Sequence, residues 1–122
     1  LTAEREKLTA AVVEMILQHS RKELLSSPET CPELILLMEA DLLDEEGALG
    51  IVTDCFTIAQ NKNYSPDDIK AHLKKNACSI LEQSPMVTPF AKGCWAKKQQ
   101  LVADFFAAFE EDTMSSVELS LP

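Results

Sequence analysis

Glycine and the larger aromatic residues are scarce in this chain, and long apolar runs are missing. The 122 residues include 3 Gly, 1 Trp and 1 Tyr. Phosphate-binding loops and turn-rich β folds need several glycines, so this shortage favours a helical protein. No apolar run is longer than that of residues 34–38, which is far short of the roughly 20 residues that span a bilayer. We therefore expect an all-α chain that does not insert into a membrane.

Basic residues are also in short supply. The 20 Asp and Glu residues outnumber the 11 Lys and Arg residues, which leaves a net charge of −9. Nucleic acids and anionic membranes select proteins with a dominant basic surface, so we expect no nucleic-acid partner. The 46% of hydrophobic residues is typical of one globular domain, which we place at residues 1–114, with a C-terminal tail at 115–122.

Four cysteines are scattered along the chain, at Cys31, Cys55, Cys78 and Cys94. Their separations match no paired zinc or redox motif. An even number of scattered cysteines in a small chain predicts two disulfides and an oxidising compartment, and the alternative is four free buried thiols. The chain also opens on Leu1 without a charged and apolar leader, so we expect a mature, secreted, extracellular protein.

Helix signals recur at regular intervals and predict a compact antiparallel bundle of about five helices. Caps and prolines place the starts at Thr2, at Thr30-Cys31-Pro32-Glu33, at the acidic segment 44–47, at Ser65-Pro66 and at Thr88-Pro89. The first helix is expected to run to about Ser26 and to bury one apolar face, formed by Leu8, Val12, Met15, Ile16 and His19.

The same layout suggests a disulfide pairing. In an antiparallel hairpin, residues equidistant from the turn face each other. Cys78 and Cys94 are centred on Met86, inside the last connection, and Cys31 and Cys55 are centred on Leu43, close to the acidic connection. Among the three possible pairings we therefore prefer Cys31 with Cys55 and Cys78 with Cys94, as staples of two hairpins, each worth about 3 kcal/mol.

Residues that would mark a reaction are missing from the sequence. We see no nucleophile-elbow serine, no phosphate loop and no Ca²⁺ loop, so we expect no catalytic residue, no metal site, no cofactor and no enzymatic activity. His19 and His72 are interpreted as edge or surface histidines. Asn63-Tyr64-Ser65 matches a glycosylation sequon, which the following Pro66 disfavours.

Charge is unevenly distributed, and this is the one hint of a binding surface. Residues 62–98 contain seven basic and three acidic residues, whereas residues 1–61 contain four basic and twelve acidic residues. Helices four and five are expected to be neighbours, which predicts one basic patch for an acidic protein partner. Its residues are Lys70, Lys74, Lys75, Lys92, Lys97 and Lys98. The alternative is a set of solvated lysines without a specific role.

Two classes of function remain open at this point. The first is a rigid interaction protein, such as a secreted inhibitor that covers a surface of a larger target. The second is a secreted helical carrier that encloses a small hydrophobic ligand. The dense Leu, Ile and Phe positions give no sign of spare internal volume, so we favour the first class.

Size, cysteine number, acidity and helical layout are similar to those of a known family. With Asp54-Cys55-Phe56 in the third helix and Gly93-Cys94-Trp95 entering the last, the whole chain resembles the anopheline mosquito salivary family of anophensin and albicin. The resemblance implies a salivary protein of blood feeding that evades host immunity by inhibiting the alternative pathway of complement at its convertase. It also implies an alternative, inhibition of the contact phase of coagulation through factor XII and kininogen.

Overall fold

The computed structural model describes residues 2–60 and 64–118, with side chains up to residue 114. It confirms an all-helical chain with five α-helices, and no strand occurs within the two described ranges. The helices are α1 (Ala3–Gln18), α2 (Pro32–Glu45), α3 (Ala48–Ala59), α4 (Pro66–Lys75) and α5 (Pro89–Glu118). Two short 3₁₀ helices cover Lys22–Ser26 and Ala77–Leu81. The sequon at Asn63 lies outside the described residues.

At three of the five predicted helix starts, a side-chain hydroxyl caps the helix by accepting a hydrogen bond from a backbone N–H group. The Ser65 hydroxyl accepts from the Asp68 backbone N–H (3.2 Å), and the Asp68 carboxylate accepts from the Ser65 N–H (2.8 Å), which forms a capping box. The Thr88 hydroxyl accepts from the Ala91 N–H (3.3 Å) at the start of α5. Thr2 caps α1 in the same way, through the Arg5 N–H.

Other boundaries differ from the predictions. The capping box expected at Thr30 is wrong, because the Thr30 hydroxyl donates to the Leu24 carbonyl (2.6 Å) and Cys31 is the N-cap residue of α2. The first helix ends earlier than expected, at Gln18, and both α1 and α4 are followed by a 3₁₀ helix. At the other end of the chain, the backbone of α5 continues to Glu118, into the segment expected to be a tail.

A large buried cluster holds the carboxyl-terminal part of the chain together. It comprises Ile51, Leu73, Ala77, Ile80, Met86, Ala91, Trp95, Val102 and Phe106. The near-helical spacing of five residues in the sequence predicts that they form the buried face of α5: Phe90, Cys94, Leu101, Phe105 and Phe109. The buried face is instead rotated by about one residue, so that Trp95 and Phe106 are buried and Phe90 faces solvent.

A smaller buried cluster lies under α2 and consists of Leu25, Leu34 and Met38. Met15 of α1 packs against it, but no residue of α1 is itself buried. The expected burial of the face with Leu8 and Val12 is therefore wrong. Because α1 ends at Gln18, only its carboxyl-terminal end reaches α2, where Met15, Gln18 and His19 are half-buried.

The structure does not support the predicted disulfides, because no cysteine pair lies at disulfide distance and all four cysteines are free thiols. The α2–α3 turn is at Glu46-Gly47, so Cys31 lies fifteen residues before it and Cys55 eight residues after it. A mismatch of seven residues is roughly 10 Å along a helix, beyond the Cα separation that a disulfide tolerates.

The second predicted pair fails for a different reason. Cys78 lies on a 3₁₀ helix, not on a second α-helix, and it packs against the large cluster. An extended segment then leads to α5, which carries Cys94. Residues that are equidistant in sequence from this connection therefore do not face each other. The hairpin symmetry on which the predicted pairing of Cys78 with Cys94 depended is absent.

Candidate functional site

The side of the molecule formed by α1, α2 and the start of α5 carries exposed large apolar side chains. Leu8, Val12 and Ile16 follow each other at steps of four residues on α1 and form one stripe. Leu36 and Leu37 point away from the smaller cluster on α2, and Phe90 projects from the first turn of α5. We call this set, Leu8, Val12, Ile16, Leu36, Leu37 and Phe90, the apolar face. Its members are 38–81% exposed.

Two grooves connect the parts of the apolar face. One lies between α1 and α2, has a volume of about 510 Å³ and is lined by Ile16, Leu37 and Ala40 among others. The other lies between α2 and the start of α5, also has about 510 Å³, and is lined by Leu36, Ala40 and Phe90 among others. Ala40 borders both grooves. The outer side of α2 therefore separates two neighbouring depressions, and the one beside α1 is also bordered by His19, Asp41 and Asp44.

A buried carboxylate holds the second groove in shape. Glu39 is 2% exposed and lies between α2 and the start of α5. One of its oxygens accepts from the backbone N–H groups of Val87 (2.6 Å) and Thr88 (2.8 Å), and the other accepts from the Thr88 hydroxyl (2.6 Å). These charge-assisted bonds satisfy N–H groups at the amino end of α5 and offset the cost of burying the charge. They also fix the position of Phe90, two residues further on.

The sequence pattern did not identify this role of Glu39. A signal was present in the pattern. Glu39 follows the apolar run 34–38 directly and precedes Ala40, so it is a single acid within the most apolar part of α2. A lone carboxylate in such a position needs a partner that donates hydrogen bonds. That partner is not specified by the sequence, because it lies almost fifty residues away.

The six lysines of the predicted basic patch do not gather in one place. Lys70 and Lys74 of α4 lie near Glu110 in the second half of α5, with Nζ to Oε1 distances of 3.7 and 3.1 Å. The hydrogen bond from Lys74 and the charges of both lysines lower the pKa of the Glu110 carboxyl. These two lysines are therefore partly neutralised. Glu110, which they contact, lies in the second half of α5, whereas Lys92, Lys97 and Lys98 lie in its first half.

Of the other four lysines, Lys75 and Lys98 lie near the cleft beside α3, and Lys92 and Lys97 lie on the exposed surface of α5. Lys98 donates from Nζ to the Glu46 carbonyl (2.9 Å) and covers the turn at Gly47, whose positive φ of 83° suits glycine. Lys75 lines a cleft beside α3. Lys92 and Lys97 are exposed on α5. Because residues seven apart share one side of a helix, Lys97 is the lysine that lies on the same side of α5 as Phe90.

The cleft beside α3 is acidic and has a volume of about 700 Å³. It lies between the first turns of α3 and the junction of α4 with the second 3₁₀ helix, and its border includes Glu45, Glu46 and Asp54. Burial raises the pKa of the Glu46 carboxyl, and the negative charges of Asp54 and Glu45 raise it further, whereas Lys98 opposes the shift. Mutual repulsion among these carboxylates makes the cleft a poor place for a further anion.

The two histidines lie in different places. His19 lines the groove between α1 and α2. His72 on α4 lies 3.7 Å from Asp54 on α3, measured from Nε2 to Oδ1, and this nitrogen is buried without a hydrogen-bond partner. Within residues 2–60 and 64–118, no three His, Cys, Asp or Glu side chains are grouped so as to hold a metal ion.

Comparisons with family models, with curated proteins and with solved structures found no match to this chain. The resemblance to the anopheline salivary family therefore stays a prediction, as do the target and the extracellular location that it implies. For the described part of the chain, no helix combines the length and the apolar character that crossing a bilayer requires.

Proposed function

We propose that this protein is a non-enzymatic inhibitor of host defence that binds a plasma protein through the apolar face. The observation that carries the proposal is the exposure of six large apolar side chains on α1, α2 and the start of α5, four of which border two grooves. Contiguous apolar surface of this kind marks interaction sites, since its exposure to water is costly unless a partner covers it.

The resemblance to the salivary family supplies the target class, and the geometry supplies the surface. We propose that the target is the alternative-pathway convertase of complement, and that the protein acts outside the cell, in saliva delivered to the host. In this proposal the inhibitor occupies a surface of the convertase and obstructs the approach of its substrate. Lys97, which lies on the Phe90 side of α5, is the lysine placed to contribute an ionic contact at the rim of the apolar face.

The shape of the grooves favours a protein partner over a carried lipid. Leu36 and Phe90 border the second groove and are both exposed, so an apolar ligand there would remain in contact with water on one side. Ligand carriers instead bury most of their ligand in a closed cavity. An open groove next to a ridge is suited to the side chains of a helix or loop from another protein.

Lysis of rabbit erythrocytes in serum that contains Mg²⁺ and a calcium chelator measures the alternative pathway directly. We expect the protein to suppress lysis at micromolar concentration, and we expect surface plasmon resonance to show binding to the assembled convertase. Full lysis together with absent binding would overturn the complement target. Suppressed kallikrein generation in plasma would then point to the contact phase of coagulation.

Two pairs of variants test the surface. Phe90→Asp introduces a charge into the apolar face beside the second groove, and we expect affinity to fall at least tenfold, because aromatic residues that become buried on binding contribute strongly to such interfaces. Phe56→Asp changes a comparably exposed phenylalanine on α3 and serves as the control. In the second pair, Lys97→Glu is expected to weaken binding about threefold to tenfold, and Lys92→Glu serves as its control.

Equal affinities for the wild-type chain and Phe90→Asp would refute the apolar face as the binding surface. Native mass spectrometry of the purified protein adds a separate check on the carrier alternative. A stoichiometric lipid adduct that is lost in Phe90→Asp would show that the second groove holds a lipid and not a protein partner.

A further inference from the structure

The groove between α1 and α2, which we call the first groove, differs from the second groove in the polar groups at its border. Its α2 side is a single stripe, because Leu37, Asp41 and Asp44 follow each other at steps of four and three residues. The polar side chains at the border of the second groove instead hydrogen-bond to each other. The two aspartates thus give the first groove a partly exposed negative border that the second groove lacks.

Asp44 is the aspartate whose charge is available to a partner. Lys22 donates from Nζ to Oδ2 of Asp41 (2.6 Å), so a positive charge already lies beside that carboxylate. Asp44 is exposed, and among the residues that the structure describes it forms neither a hydrogen bond nor an ion pair. It also lies in the last turn of α2, where the helix dipole adds partial negative charge. Both effects favour a cation at this end of the first groove.

His19 provides a further acceptor on the α1 side of the first groove. Its Nδ1 lies 2.5 Å from the Ile16 carbonyl oxygen, and a carbonyl oxygen can only accept, so Nδ1 carries the proton. In the neutral ring Nε2 is then an acceptor. Because no described Lys or Arg side chain borders this groove, its polar side chains, those of His19, Asp41 and Asp44, all accept hydrogen bonds. The complementary ligand is a cation that only donates them.

The proposed function, on which this further step rests, requires a protein partner. We propose that this partner inserts an arginine side chain into the first groove, and that the same segment of the partner places an apolar side chain in the second groove. A guanidinium group has N–H donors in a planar fork and no acceptor, so it matches the Asp44 carboxylate and the Nε2 atom of His19. The hydrocarbon stem of the arginine covers Ile16 and Leu37, which are 55% and 38% exposed without a partner.

Ala40 allows one segment to reach both grooves. It is exposed, it borders each groove, and its small side chain lets a backbone pass close to α2. The grooves lie on either side of α2, about 10 Å apart, which is one helix diameter. In the polyproline II conformation, residues three apart point the same way and are separated by about 9 Å. An apolar residue and an arginine three positions later therefore fit the second and the first groove together.

Charge distinguishes this occupant from a purely apolar one. Residues 1–61 contain four basic and twelve acidic residues, so the part of the chain that carries the first groove is strongly negative. It attracts an arginine-containing segment from a distance, and salt screens that attraction. Affinity for such a segment should therefore fall as the NaCl concentration rises. An apolar segment without a charge would show no such fall.

Two short peptides test the chemistry of the first groove independently of the target. One is the acetylated and amidated peptide Phe-Pro-Pro-Arg, and the other contains citrulline, which keeps the shape of arginine but not its charge. In heteronuclear NMR spectra of the full chain, we expect the arginine peptide to shift the amide signals of Ala40 and Asp44. The citrulline peptide should bind about threefold more weakly or worse, because it lacks the charge-assisted hydrogen bonds. Equal binding of the two peptides, or no shift at these residues, would overturn the proposal.

A matched pair of variants locates the contact. Asp44→Asn and Asp67→Asn change the net charge equally, but Asp67 is exposed in the first turn of α4 and borders neither groove. In Asp44→Asn the preference for arginine over citrulline should disappear, and affinity for the convertase should fall about threefold to tenfold with a weaker dependence on NaCl. Asp67→Asn should change neither property, and circular dichroism confirms that both variants remain folded.

The two levels of the proposal fail in different ways. An unchanged arginine preference in Asp44→Asn would overturn the arginine contact and leave the convertase as the target. An arginine preference that depends on Asp44, in a chain that does not bind the convertase, would refute the target and support the arginine contact.

Discussion

The two buried clusters of this protein differ in size and in what surrounds them. The larger cluster draws nine residues from α3, α4, α5 and the intervening segments, whereas the smaller one has three residues under α2. Around the smaller cluster lie the exposed residues of α1 and the outer side of α2. The carboxyl-terminal part therefore contains most of the buried core, and the amino-terminal part presents most of the apolar face.

The largest expected effect comes from the larger cluster. Ile80 is fully buried there, and its chain neighbour Leu81 is 44% exposed. We expect Ile80→Ala to lower the free energy of unfolding by about 2–5 kcal/mol, because it leaves a cavity in close-packed surroundings. Leu81→Ala should cost about 1 kcal/mol or less. Urea unfolding monitored by circular dichroism gives both values, and similar losses in the two variants would contradict the assigned burial.

The next effect concerns the connection between the two parts. Glu39→Gln removes the charge from the acceptor of three hydrogen bonds and turns an amide group towards the Thr88 hydroxyl. We expect a loss of about 1.5–3 kcal/mol, the range for hydrogen bonds to charged groups. Glu33→Gln, at an exposed position earlier on α2, is the matched control and should be nearly neutral. Equal unfolding midpoints for both variants would show that Glu39 does not join α2 to α5.

A smaller effect is expected at the turn between the two parts. Burial raises the pKa of Glu46 in the folded chain, so the folded state binds this proton more tightly than the unfolded state. The linkage relation then makes stability fall as pH rises from the ordinary carboxyl pKa through the raised one. Glu46→Gln removes this loss and should raise the thermal midpoint at neutral pH but not at a pH below the ordinary carboxyl pKa. Identical shifts at both pH values would argue against the raised pKa.

The smallest effect is expected from reduction. With four free thiols, none of which crosslinks the two clusters, dithiothreitol should leave the thermal midpoint unchanged. Titration of the unfolded, unreduced chain with a thiol reagent should detect all four cysteines. A count of zero and a midpoint lowered by the reductant would restore the disulfides that the sequence suggested.

Local signals in the sequence predicted the helices well. Ser65, Thr88 and Thr2 act as caps within a few residues of the groups they satisfy, so short-range chemistry was enough to place those starts. The ends of α1 and α4 were less predictable. A 3₁₀ helix differs from an α-helix by a tighter hydrogen-bond pattern, and the apolar spacing of the residues does not distinguish the two.

The candidate binding surfaces could be predicted only in part. They depend on which apolar sides of the helices pack within the chain and which stay exposed. The pattern of Leu8, Val12 and Ile16 is the same whether a helix packs against its own chain or against another protein. For the predicted basic patch, no local pattern indicated that Lys70 and Lys74 of α4 lie beside Glu110 in the second half of α5. Glu39 required knowledge of a partner that no local pattern specifies.

The hydrogen bonds of Glu39 also bear on the order of folding events. They join residues that are 48 and 49 positions apart in the chain, so closing them is entropically costly and requires both halves to be in place. We expect these contacts to form after the rate-limiting step of folding. Their loss should then accelerate unfolding and leave the folding rate nearly unchanged. In that case Glu39 sets the lifetime of the folded state more than the rate at which it forms.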